Sequence, residues 1–315
     1  MLRVQPLGTD VPGARAYRIL YQSSTSTGVA APSGGMAFVP VGTAPAAGRP
    51  IVAWAHPVIG DDVAPSRSTT PLSGMQPWLT EMITRGWIVV ATDFVGVGTR
   101  HQEWLNGQAE AHDVTYSVEA VQQLGGADAG RQWVAWGFSY GGHAALWTGT
   151  MAAALDPSSP LVGVATAAPV AELVPLEHAL GKPWAPRLLA ETPPPPLAGF
   201  PALVVQGTDD TVVPVPTTAL LQQQWCRAGV ALEARWLPGV RHEDTAAVGS
   251  PIVLAWIDAR FRRLPARGNC GKTPPVGLVK DEAGGRTESS DVHLGDVTTP
   301  SSVVARKLVQ AHPSQ

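Results

Sequence analysis

Short, continuous apolar runs recur through the chain at residues 51–55 (IVAWA), 87–92 (WIVVAT), 161–167 (LVGVATA) and 201–206 (PALVVQ). Runs of this length without polar alternation read as strands buried on both faces. Residues 231–237 (ALEARWL) read as a last strand. Between the runs lie stretches with helical character, at 75–84, 111–124, 143–155, 215–228 and 251–264. In the second of these, Val114, Val118 and Val121 share one face. Pro77 is tolerated in a first turn, while Gly86 and Gly229 end their helices. Ahead of the first buried run, residues 16–22 and 35–41 read as two short antiparallel strands separated by a Ser/Thr/Gly/Pro loop. Strands alternating with helices predict an α/β fold, a mostly parallel central sheet flanked by helices.

One further apolar run, VAWGF at 134–138, leads into Ser139, Tyr140, Gly141 and Gly142, and an Ala-rich helical stretch follows at once. Gly137-Phe138-Ser139-Tyr140-Gly141 is a G-x-S-x-G pattern between a strand and a helix, the nucleophile elbow of α/β-hydrolases. The spacing has a steric cause. A serine in a sharp, strained turn needs neighbours without bulk two residues to either side. The helix then points its N-terminal N–H groups at the serine oxygen, where they favour a developing oxyanion. The competing reading is a Gly-rich turn carrying a solvated serine.

A serine nucleophile needs a base and a group that orients the base, and in this fold the chain order is Ser, acid, His. His143 lies four residues after Ser139 and is too local to reach back to Oγ. His178 falls in a predicted cap, and His293 and His312 fall in the tail. His242, in PGVRHED directly after the last strand, is the candidate base. The strand at 201–206 delivers GTDDTVVP, so Asp209 and Asp210 both sit at the correct end to accept from His242 Nδ1–H, with Asp210 preferred. Asp244 is a third candidate. For the oxyanion, one N–H should come from Tyr140. The second should come from the loop after IVAWA; Pro57 has no N–H, so Val58 is next, then Ile59. His56 reads as a residue that fixes this loop.

Composition narrows the class. The 315 residues are 44% hydrophobic and 15% charged, enough to bury a sizeable core, and the formal net charge of −3 comes without a basic patch for nucleic acid. No apolar run approaches the roughly 20 residues of a membrane-spanning helix. The first residues, MLRVQPLGTDVPGARAYRIL, lack the apolar core of a signal peptide. No metal or cofactor is expected. Cys226 falls in a predicted helix and Cys270 in a loop beyond the last one; a bridge and two unpaired thiols are both open on sequence alone. The hydrolase domain is expected to span 1–264, with a small cap at about 169–200. Beyond residue 265 the chain is Gly, Pro, Ser, Thr and charge, and reads as an extended or poorly ordered tail to 315.

The combination of VAWAHPVIGDDVAPSRS (52–68), DFVGVGT (93–99), GFSYGGHAALW, GTDDTVVP and PGVRH resembles the secretory lipase family, α/β-hydrolases that include fungal A-type and actinobacterial lipases. The resemblance spans about residues 35–264. It implies the triad Ser139, Asp210 and His242. It implies export, and the run Asn269-Cys270-Gly271 implies a Cys226–Cys270 bridge. Two departures stand out. Family members commonly carry His-Gly where this chain has His56-Pro57, which stiffens the oxyanion loop. Their cap is a large helical insertion, whereas only residues 169–200 are available here. A small cap points to an esterase for short to medium acyl chains acting on a small-molecule ester. Leu173, Leu176, Leu180 and Trp184 would line the acyl pocket or pack the cap on the core. A serine peptidase of the prolyl oligopeptidase type, a polyester hydrolase and a non-catalytic binding protein of the same fold are the alternatives. The chain has only about 50 residues before the first buried strand, against the large propeller usual in those peptidases.

Overall fold

The computed structural model describes residues 1–58, 78–97, 103–173 and 190–275. Strands β1 (Arg3–Leu7), β2 (Ala14–Ser24) and β3 (Ala30–Pro40) open the chain, followed by β4 (Arg49–Ala55), helix α1 (Trp78–Thr84) and β5 (Ile88–Thr92). Helix α2 (Gly107–Gln122), β6 (Ala129–Phe138), α3 (Tyr140–Leu155) and β7 (Leu161–Ala167) form the middle. The last elements are β8 (Pro201–Gly207), α4 (Val215–Arg227), β9 (Ala231–Leu237) and α5 (Thr245–Phe261). Among the described residues they build one nine-stranded sheet in the order β1-β2-β3-β5-β4-β6-β7-β8-β9. Pairs from β5 onward are parallel, and β1 to β3 add an antiparallel extension that joins at β5.

The apolar runs are explained by burial on both faces. In β4, Ile51, Ala53 and Ala55 point into one core layer, while Val52 and Trp54 point into the other. β6 divides in the same way, with Trp133 and Ala135 on one side and Val134 and Trp136 on the other. Val114, Val118 and Val121 of α2, Ala144 and Ala145 of α3 and Trp225 of α4 cover the first side. Leu79 and Met82 of α1 and Val253, Leu254 and Ile257 of α5 cover the second. On that second side Trp54, Trp78 and Trp136 form a mutual cluster with ring centroids 4.8–5.2 Å apart.

Winding reverses beside β4. The chain passes from β4 outward to β5, then returns across β4 to β6 and continues to β9. A crevice opens at the carboxyl ends of the strands where such a reversal occurs, and β4 and β6 end there at His56 and Ser139.

Two differences from the sequence expectation have physical causes. β1 was not expected. It is an exposed edge strand whose residues show no apolar alternation, and Pro6 within it is tolerated at an edge. Helix α5 begins at Thr245, six residues before Pro251, which reads in sequence as a start. Pro251 cannot donate to the carbonyl of Ala247, and the Ser250 hydroxyl donates there instead at 2.8 Å. As far as it is described, the chain after residue 265 forms no helix or strand and is anchored to the body. Asn269 N donates to the Leu232 carbonyl, the Asn269 side chain pairs with the Ala234 backbone, and Cys226 is bonded to Cys270. Residues 276–315 lie outside the described residues, as do Leu176, His178, Leu180 and Trp184 of the predicted cap.

Candidate active site

Ser139 sits at the apex between β6 and α3 with φ 57° and ψ −118°, a strained conformation for a side chain with a β-carbon. The turn is tight on both sides. A β-carbon at Gly137 would overlap the Gly141 carbonyl, and one at Gly141 would overlap the carbonyl of Ala55. The two glycines of the motif are therefore steric necessities, and the second brings the elbow against the end of β4. The serine backbone is held throughout: its N–H donates to Ala167, and its carbonyl accepts from Gly142, His143 and Val170. Ser139, Phe94, Leu105 and Ala168 all have positive φ. Phe94 and Ala168 follow β5 and β7, and Leu105 precedes α2; Asp128 before β6 and Arg263 after α5 are the other non-glycine residues with positive φ among the described ones.

The three expected side chains meet. His242 Nε2 lies 3.0 Å from Ser139 Oγ, and His242 Nδ1 lies 2.8 Å from Asp210 Oδ2. All three residues are buried. Asp210 receives further N–H donors from Gln206 Nε2 at 2.9 Å, Val212 at 2.9 Å and Val213 at 2.8 Å. Every contact to this carboxylate comes from a donor, so Nδ1 of His242 carries a hydrogen and Nε2 presents a lone pair to the serine hydroxyl. Gln206 is itself oriented by Thr218 Oγ1, which donates to its Oε1 at 2.7 Å.

The alternative acids lie elsewhere. Asp209 is exposed, its N–H donates to Val240, and its carboxylate accepts from the Thr208 hydroxyl. Asp244 is exposed in the short 3-10 turn after β9 and faces Arg241 at 3.8 Å. His143 is buried away from Ser139 Oγ, with Nδ1 2.6 Å from Glu110 Oε2 and Nε2 2.8 Å from the Glu191 carbonyl.

On the oxyanion side, Tyr140 is the first residue of α3, where the N–H groups of a helix point outward along its axis. His56 follows β4 and is buried; its Nδ1 donates to the Pro57 carbonyl at 2.7 Å, and its ring packs on Phe94 at 5.0 Å. Val58 is half-buried against the core two residues further on. Leu173, expected to line the acyl pocket or pack the predicted cap on the core, is fully buried in the first core layer.

Glu110 and Gln206 were not singled out from sequence. Glu110 sits among small residues of α2, QAEAHD, and reads as a solvated helix position. Gln206 reads as the polar end of a strand. In both cases the only available signal was a polar residue inside an otherwise apolar or small-residue run.

Comparison with known proteins agrees with this architecture. A family model described as secretory lipase matches residues 66–184 and 189–269, more than half of the chain. Lipase 10 of Candida albicans is 35% identical over 78 residues, covering 24% of this chain and 17% of that protein. Lipase 2 of the same organism is 36% identical over 82 residues, 26% of this chain and 16% of that protein. The alignment thus spans only a small part of these relatives' length. Among solved structures, Candida antarctica lipase A superposes with a TM-score of 0.69 at 14% identity, over 87% of this chain and 84% of that one. The rice cell wall degrading esterase LipA of Xanthomonas oryzae gives 0.60 at 15% identity, over 79% and 90%. Both are similar in fold. With the family model covering both the elbow and the His242 loop, the chain belongs to the secretory lipase family.

Proposed function

We propose that the protein is a serine carboxylic ester hydrolase that works through an acyl-enzyme. The observation that carries this reading is the buried relay Ser139–His242–Asp210, with contacts of 3.0 Å and 2.8 Å, on a strained elbow. His242 Nε2 takes the Ser139 proton as Oγ attacks the ester carbonyl. The negative charge on the former carbonyl oxygen is met by the N–H groups of Tyr140 and Val58. Asp210 holds the tautomer and faces the imidazolium that forms. His242 then returns its proton to the leaving alcohol as the C–O bond breaks. A water enters, gives its proton to Nε2, and attacks the acyl-enzyme; collapse releases the acid and restores the Ser139 hydroxyl.

The cap segment at 169–200 is short, and Leu173 at its base packs into the core, which supports short to medium acyl chains over long ones. Family membership and the Cys226–Cys270 bridge support an exported protein, because disulfides persist in oxidising compartments.

The test is initial rates on p-nitrophenyl esters from acetate to palmitate, for the wild type and Ser139→Ala. The expected result is a maximum at short chains and a fall of at least ~10³-fold in the variant. A maximum at palmitate would overturn the chain-length argument. Hydrolysis of aminoacyl amides without ester hydrolysis would favour the peptidase reading.

A further inference from the structure

The residue before the nucleophile touches the base. Side chains alternate along β6, and Phe138 follows Val134 and Trp136 onto the side of the sheet that α5 covers, where it packs against that core layer. From there its ring lies against the imidazole of His242, with centroids 5.0 Å apart and 34° between the planes. The two residues reach this contact by different routes. His242 is delivered by the turn after β9, the edge strand, whereas Phe138 stands at the end of β6, three strands further in. That strand end is firmly placed: Phe138 pairs in register with Ala167 of β7, and the next N–H, of Ser139, donates to the Ala167 carbonyl at 2.9 Å. A side chain on a central strand thus meets one carried by a loop from the edge.

We propose that Phe138 is a positioning residue for the reaction: lying against His242, it keeps the imidazole in place and favours its charged form. The inference rests on the ester-hydrolase reading above. The first part is geometric. The bonds from His242 to Asp210 at 2.8 Å and to Ser139 at 3.0 Å engage the two ring nitrogens, whose hydrogen and lone pair lie in the ring plane. They hold the two ends of the ring and leave it free to rock about the line between them. A second ring against it opposes that rocking, and a rigid strand is the element suited to supply one. The second part is electrostatic. While Ser139 Oγ is bonded to the ester carbon, His242 holds both protons and is positive, in a position only 4% exposed. The face of a phenyl ring is its negative part, and it attracts a cation within about 6 Å of its centroid, more strongly where water is excluded. The 34° between the planes is far from the edge-on contact of His56 with Phe94, at 71°. Neutral imidazole gains less from such a contact than imidazolium does, so the contact favours the transition state over the resting enzyme.

The experiment compares the wild type, Phe138→Leu and proteins carrying phenylalanine with one, two or three ring fluorines at position 138. Fluorine withdraws charge from the ring face and changes its shape little. Rates are measured on p-nitrophenyl butyrate per titrated active site, and an aryl trifluoromethyl ketone, whose serine adduct pairs an oxyanion with imidazolium, is titrated against each protein. The expected result is a kcat lower by about three- to tenfold in Phe138→Leu, with KM within about twofold. Across the fluorinated set kcat should fall stepwise, and ketone affinity should fall with it. Wild-type kcat throughout the fluorinated set would overturn the proposal, because the ring would then act by shape alone. So would fewer active sites at unchanged kcat per site, the mark of a residue that only supports the fold, or a rise in KM at constant kcat. If Phe138→Leu does not fold, the fluorinated set decides alone. A wild type inactive on every ester would remove the ester-hydrolase reading itself, whereas active variants with wild-type kcat remove only this inference.

Discussion

Asn269 uses both ends of its side-chain amide on one residue: Ala234 N donates to its Oδ1 at 2.8 Å, and its Nδ2 donates to the Ala234 carbonyl at 2.7 Å. Ala234 lies in β9, the edge strand of the parallel side of the sheet. A side chain here takes the place of a tenth strand and covers backbone groups that would otherwise be open to pairing with another chain. Asn269→Ala removes both bonds and is expected to lower stability by about 1–3 kcal/mol. Urea unfolding at matched pH measures this, and an unchanged midpoint would show the contact to be incidental.

The Cys226–Cys270 bridge fixes the same segment to α4 across a separation of 44 residues. Cys226→Ser with Cys270→Ser is expected to cost about 2–4 kcal/mol, mostly by freeing the unfolded chain. Neither cysteine is among the hydrogen-bond partners of Ser139, Asp210 or His242, so kcat on a short ester should stay near that of the wild type below the lowered melting temperature. A large drop in kcat at low temperature would mean that the bridge shapes the site.

Gln206 is expected to matter to catalysis although it touches no reacting atom. Gln206→Leu removes one donor from Asp210 Oδ2 and the partner of the Thr218 hydroxyl. Asp210 then has more freedom to swing from His242. A kcat reduced about tenfold with little change in KM is the expected outcome, comparable to partial loss of imidazole orientation. Gln206→Glu, by placing a second carboxylate beside Asp210, should be worse than Gln206→Leu.

Asp113 gives a pH dependence of stability. It is buried on α2, accepts from Ser23 Oγ at 2.5 Å and Val95 N at 2.8 Å, and burial raises its pKa to about 7. The carboxyls of Glu110 and Glu103 push it the same way. A carboxyl raised in the folded state keeps its proton where the unfolded chain, at its ordinary value near 4, has released it. The folded form then binds more protons, so stability falls as pH rises from about 4 to about 7 and levels off above. Glu110 and His143 are also raised and act in the same direction: for Glu110 burial is the main cause, while for His143 burial, the largest single effect, lowers the value and is overcome by the Glu110 and Glu191 contacts together. Asp113→Asn should shrink the loss of stability between pH 5 and pH 8, measured by urea titration at each pH. An equal loss in both proteins would place the dependence elsewhere.

Much of the parallel sheet was legible in the sequence because strands buried on both faces must be apolar throughout, as IVAWA and WIVVAT are. The elbow was legible because Gly137 and Gly141 admit no β-carbon. What escaped was governed by contacts distant in sequence. β1 is exposed and takes its conformation from pairing with β2, so no periodicity marks it. The start of α5 was hidden by Pro251, whose missing bond is supplied by Ser250. Asp209 and Asp210 are equivalent in one dimension. They separate only when the Asp209 N–H is tied to Val240 and the Asp210 carboxylate closes on the amides of Val212 and Val213. Likewise the Glu110–His143 pair spans two helices, and neither residue carries a sign of the other.

The tryptophan cluster under β4 and β6 has an optical consequence. Trp54, Trp78 and Trp136 stand 4.8–5.2 Å apart on two strands and α1, on the side of the sheet that α5 covers. Indoles this close exchange excitation, so the folded protein should carry an exciton couplet in the far-ultraviolet that changes when α1 lifts off and leaves only the Trp54–Trp136 pair coupled. Light absorbed there reports on the seating of one short helix, separately from whatever happens at the serine.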